Sequence, residues 1–173
     1  MKAILFKIMS PVVMKNWYAD LLFALPRILC GYFLAYNFGG SKFGVPWSPE
    51  GASDLGFLQV VDWFPQDVAN FGGLFATFPL FFAWMAAASE AIGGAFLVLG
   101  FKTRVASFLI MCTMLVAICF QKWNDGLWGM LPAMSFLWVS IYNLVLGSGR
   151  FGLDYIISKT ILDKKSNSVS LKY

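Results

Sequence analysis

Glu90 stands near the middle of a run from Leu74 to Phe101 that has no other charged residue and is otherwise apolar or small. A carboxylate at bilayer depth costs about 2.5–3.5 kcal/mol on insertion scales. It therefore needs a proton, a cation or a polar cavity. Three cations are in range of such a run: Arg27, which opens the first apolar segment, Lys42, which closes it, and Arg104, which begins the third. On an ideal helix Arg27, Gly31, Leu34, Phe38 and Lys42 share one side of the first segment. Ala83, Ala86, Ala87, Glu90, Gly93 and Gly94 form a small-residue face on the second, which lets another helix approach closely. Glu90 lies ten residues from Gly100, about 15 Å along a helix, and an Arg side chain starting from position 27 spans the remaining height. The arrangement predicts a charge-assisted Arg27–Glu90 hydrogen bond, to which the planar, permanently charged guanidinium is suited. Such a pair either locks two helices together or borders a headgroup pocket for quinone or lipid, with Glu90 as the candidate proton carrier.

The remaining charged and polar residues divide between anchoring and binding. Lys42 either snorkels to the outer headgroups or projects its ammonium into an outward-facing pocket lined by Tyr36, Asn37, Gln121 and Trp123. Lys42, Asn37, Arg104 and Trp123 are thus the candidate lipid or quinone contacts. Arg104, beside Lys102, fits an anchor to phospholipid phosphate. Arg150 and Asp154 are four residues apart and spaced to pair. The sequence has no His, which excludes haem held by an axial His and His-based proton relays within this chain. Cys112 and Cys119 are seven residues apart on one predicted helix, roughly 10 Å along its axis, too far for a mutual disulfide. No Cys-x-x-Cys, phosphate-binding loop, dinucleotide fingerprint or hydrolase motif occurs. No metal ligated by this chain and no covalent cofactor is expected.

These side chains are carried by spans. Charged residues make up 13% of the chain and hydrophobic ones 59%, against about 25% charged in soluble domains, which places the chain in a bilayer. Four segments are long enough to cross it, at about 21–43, 76–100, 104–122 and 128–147. Pro26, Pro79 and Pro132 are read as first-turn residues of three of them, and Gly100 and Gly147 as stops. The fold class is an all-α integral membrane protein, a four-transmembrane-helix bundle in residues 21–158. An interfacial segment precedes it in 1–20, where Lys2, Lys7 and Lys15 alternate with apolar residues, and a polar tail follows in 159–173.

Orientation follows from charge. Lys2, Lys7, Lys15, Arg27, Lys102, Arg104, Arg150, Lys159, Lys164, Lys165 and Lys172 fall on one side and only Lys42 and Lys122 on the other. This predicts that both termini are cytoplasmic. The net charge of +4 then reports topology rather than a nucleic-acid partner. The long outer connection, about 44–75, is too aromatic for a solvated loop, and Asp54, Leu55, Leu58, Val61 and Asp62 read as a short interfacial helix.

Several local patterns coincide along this frame: Arg27 with Gly31, Gly40-Ser41-Lys42-Phe43, Glu90-Ala91-Ile92-Gly93-Gly94, Leu99-Gly100, Thr103-Arg104-Val105-Ala106, and Gly147-Ser148-Gly149-Arg150-Phe151-Gly152-Leu153-Asp154. In order and spacing they resemble the DoxX family of small four-span membrane proteins over roughly 24–158. Gly152 replaces the Ser that the last pattern leads one to expect. The family's namesakes resemble small subunits of thiosulfate:quinone oxidoreductase (DoxX/DoxD-like), and other members accompany membrane redox or oxidative-stress assemblies. The resemblance thus implies a non-catalytic accessory subunit of a respiratory or quinone-linked complex in a bacterial inner membrane, with other subunits and membrane lipids as partners. The alternatives are a quinone-reactive oxidoreductase subunit using Glu90, or a small-solute or lipid transporter. Transport is disfavoured because no broken span or inverted repeat is visible.

Overall fold

A computed structural model describes residues 11–50 and 54–170, with side chains described as far as Ile161. The helices are α1 (Trp17–Phe33), α2 (Trp63–Ala69), α3 (Gly73–Thr77), α4 (Pro79–Leu99), α5 (Thr103–Val116), α6 (Gly126–Leu146) and α7 (Leu153–Ser170). Two wider π turns prolong spans at the same end of the molecule, Leu34–Gly39 after α1 and Ala117–Gln121 after α5. Among the described residues four helices are long and apolar enough to cross a membrane: Trp17–Gly39, Pro79–Leu99, Thr103–Gln121 and Trp123–Leu146. Each span also keeps exposed apolar side chains on the outer surface of the bundle, where lipid would lie. Leu22, Phe33, Trp138 and Val145 are among these outward side chains.

Span α4 is the hub. It packs against α1 and its π turn, against α5 and against α2, while α6 closes the ring between α5 and α1. The small-residue face explains this. A Cβ on Gly94 would meet the Ala35 nitrogen at 2.6 Å and the Gly31 oxygen at 2.8 Å, and one on Gly39 would collide with the Glu90–Ala91 backbone. Ala83, Ala87, Ala91 and Gly93 are buried beside them. Small residues let two backbones approach closely, and dispersion then replaces the lipid contacts that were given up.

Several boundaries differ from the sequence reading. The first span starts at Trp17, after the extended Asn16, and ends with the turn at Gly39–Gly40. Pro26 is therefore the tenth residue of α1 and Pro132 the seventh of α6, both interior. A proline-freed carbonyl is tolerated inside a membrane span because neighbouring groups can satisfy it, so these prolines do not mark helix starts. Pro79 does begin α4, and Gly100 (φ 64°) and Gly147 (φ 74°) follow the ends of α4 and α6.

The helix expected over Asp54–Asp62 is absent. There the chain pairs antiparallel with residues 42–44: Gly44 N–H to Gln59 O at 2.8 Å, Leu58 N–H to Gly44 O at 2.8 Å, and Val61 N–H to Lys42 O at 3.0 Å. Gly44 lacks a side chain where Gly56 approaches, and Leu58 adopts φ 61°, so the two segments can satisfy each other's backbone groups. The helical part of the connection lies later, in α2 and α3. The interfacial segment expected in 1–20 lies outside the described residues up to Ser10. Pro11–Met14 are not helical, and Trp17 already opens α1. The stretch read as a polar tail continues as helix α7 to Ser170.

Candidate functional site

Arg27 and Glu90 do not meet. Arg27, 1% exposed, donates through Nη1 to Leu97 O and through Nη2 to Phe151 O at 2.7 Å. Its cation lies at the C-terminal end of α4, where the helix dipole favours positive charge. Leu97 is seven residues from Glu90, about 10 Å along the helix, which is why the expected pair does not form.

Glu90 binds Lys42 instead, Nζ to Oε2 at 2.7 Å. The Gly39 backbone packs on Glu90–Ala91, the chain turns through Gly40 with Lys42 N–H bonded to Gly39 O at 3.0 Å, and the Lys42 side chain then lies over Glu90. The face of the Phe64 ring lies 4.8 Å from the same ammonium, a cation–π contact strengthened by desolvation. The Lys42 side chain is 15% exposed and that of Glu90 6%. Of the cations proposed for Glu90, the one that closes the first span is its partner.

This pair forms part of the wall of a cavity of about 260 Å3. Aromatic residues form much of the lining: Phe64, Phe71 and Phe75 from the loop-end connection, Phe81 and Phe82 from α4. Polar groups are few. Ser89 Oγ and Thr113 Oγ1 lie 2.6 Å apart across α4 and α5 and share a hydrogen bond, and Gln121 stands at the π turn. The cavity follows α5 from Leu109 to Gln121, twelve residues, or about 18 Å. It is mostly apolar with a few converging polar groups, the usual make-up of a small-molecule site. Gln121 lines it beside Lys42 as the sequence suggested. Tyr36, Asn37 and Trp123 do not: each is exposed outside it. Arg104 lies at the other end, bonded to Val145 O at 3.1 Å. The hydroxyl pair and the phenylalanine wall were missed, since Ser89 and Thr113 stand singly on apolar faces and nothing in their spacing shows that the faces meet.

A family model for DoxX matches residues 22–123. The chain belongs to the DoxX family. No curated protein and no solved structure matches it. In this DoxX protein every residue lining the cavity falls within the matched stretch, and α6 contributes none.

The glycine-rich pattern after α6 in this DoxX chain lies beyond that stretch and builds a latch at the opposite end. Arg150 pairs with Asp20 at 2.8 Å and donates to Met14 O at 2.7 Å. Asp154 accepts the backbone N–H groups of Lys102 at 2.8 Å and Thr103 at 2.9 Å, which caps α5 with a carboxylate. The Arg150–Asp154 pair expected from spacing is therefore replaced by two pairings to distant elements. Each charge there satisfies groups that a tight helix junction leaves unbonded.

Proposed function

We propose that this chain is an accessory membrane subunit of a quinone-linked redox assembly and that its cavity holds an amphiphile, a quinone or a phospholipid. The observation that carries this reading is the Lys42–Glu90 pair in the wall of a phenylalanine-lined cavity at membrane depth. The groups present fit a quinone: the Lys42 ammonium and the Gln121 amide can donate to a ring carbonyl, and the phenylalanines offer a dry slot for the ring. A bound quinone would supply two-electron, two-proton chemistry, with the redox centre on a partner subunit. The residues of this chain would bind it, orient it and exclude water.

In this reading the end carrying Arg27, Lys102, Arg104 and Arg150 faces the cytoplasm of a bacterial inner membrane, as the excess of Lys and Arg there supports. Gentle extraction from the native membrane followed by mass spectrometry is the test. Redox subunits in fixed ratio, with quinone or lipid lost in Lys42→Met, are expected. A chain recovered alone and empty would sink the proposal. Because Glu90 lines the cavity, a second reading makes it a proton carrier for the quinone. Glu90→Gln separates the two: an intact assembly with lost quinone turnover favours the carrier, and unchanged turnover favours the accessory role.

A further inference from the structure

We propose that the cavity is loaded sideways from the bilayer, between α4 and α5, and that it accepts an amphiphile whose headgroup is uncharged and hydrogen-bond-accepting. This rests on the reading of the cavity as an amphiphile site and specifies the route and the chemistry.

The route follows from what covers each side. Toward the loop end the cavity is roofed by Phe64 and Val68, 5% and 3% exposed. An aromatic clasp joins the α3 region to the end of α5, with Phe71 and Phe75 ring centroids 5.9 and 5.3 Å from that of Phe120. Between α4 and α5 the wall changes character. Phe81, 60% exposed, and Met85, 40% exposed, line the cavity from α4, and the exposed Cys112 lines it from α5. These side chains border the cavity and the lipid at once. An apolar tail can lie between them while the headgroup stays inside, because a cavity of about 260 Å3 holds a ring or small headgroup but not a long chain.

The headgroup preference follows from charge. Lys42 is the only Lys or Arg among the lining residues, and Glu90 already neutralises it at 2.7 Å. The other polar liners, Ser89, Thr113 and Gln121, carry no charge. An anionic headgroup would have to displace Glu90 from Lys42 or sit beside its carboxylate, and a buried like-charge contact is costly. A carbonyl needs only a donor. The ammonium has three N–H groups, of which Glu90 engages one.

The test uses the full chain in phosphatidylcholine nanodiscs and a decyl-substituted benzoquinone, an uncharged dicarbonyl with an apolar tail, followed by native mass spectrometry. Cys112→Trp fills the mouth and leaves Lys42 and Glu90 themselves unsubstituted. Cys119→Trp, on the same span but outside the cavity lining, is the control. Affinity is expected to fall about tenfold or more in the first and to stay within about twofold in the second. Met85→Trp closes the mouth from α4 and serves if Cys112→Trp fails to fold. Unchanged binding in a folded mouth variant would overturn the route. Displacement of the probe by phosphatidylglycerol in the disc would overturn the headgroup assignment. Binding with these properties in a chain that never co-purifies with redox subunits would remove the accessory-subunit reading and leave the portal intact.

Discussion

Glu90 lies eleven residues beyond Pro79, about 16 Å along the helix, and the turn that carries Lys42 packs at the same level through Gly39. The Lys42 side chain, however, is longer and more exposed, 15% against 6%. The two partners are therefore unequal. If Glu90 is truncated, the long Lys42 stem can turn its ammonium toward the more exposed side of its turn. If Lys42 is truncated, the carboxylate has nowhere to go. Removing one member of a buried pair costs about 3–5 kcal/mol, and the full cost is expected for Lys42→Met, with less for Glu90→Gln. The double variant should be more stable than Lys42→Met alone. Unfolding in mixed micelles measures the order, and a Glu90→Gln protein less stable than Lys42→Met would contradict it. From sequence the carboxylate, its depth and the short set of possible cations were all legible. The choice among them was not, because it depends on Gly39 touching Glu90–Ala91, a contact between residues far apart in the chain.

At the scale of elements, neighbouring glycines on α4 have different jobs. A Cβ on Gly94 would press on the Ala35 nitrogen at 2.6 Å, but one on Gly93 would meet the Ile110 side chain at 3.4 Å and the Ala106 oxygen at 3.9 Å, both without a clash. Gly94→Ala should therefore lose about 1–3 kcal/mol through overpacking. Gly93→Ala should be neutral or gain up to about 1 kcal/mol, since the substitution restricts the unfolded chain. Comparing the unfolding transitions of the two variants decides this, and equal effects would mean that α1 and α4 do not approach as described. The number of spans, the small-residue face and the stops at Gly100 and Gly147 could be read from periodicity and composition. The interior prolines and the paired loop could not. Membrane helices tolerate proline, and the antiparallel pairing joins Gly44 to Gln59 and Leu58 through backbone groups that carry no side-chain signature.

At the scale of the whole molecule, the end opposite the cavity is held by charges that bridge successive spans. Asp154 ties the segment after α6 to the start of α5 through two backbone N–H groups. Asp154→Ala removes a cap and is expected to cost about 0.5–2 kcal/mol. Because the bond is local to this end, hydrogen exchange at Lys102 and Thr103 should speed up while residues around the cavity keep their protection. Faster exchange throughout would instead mean that the latch holds the entire bundle.

Arg27 also imposes a schedule on biosynthesis. Its Nη2 partner, the Phe151 carbonyl, lies 124 residues downstream, so at roughly 5–20 residues per second the ribosome reaches that partner some 6–25 s after making the arginine. During that interval the first span carries a guanidinium into lipid with at most its Leu97 contact, which arrives 70 residues later. A nascent chain cut off before the fourth span has emerged keeps an under-satisfied cation inside the membrane. Arg27 thus gains its second carbonyl partner only once the chain beyond the fourth span has been made.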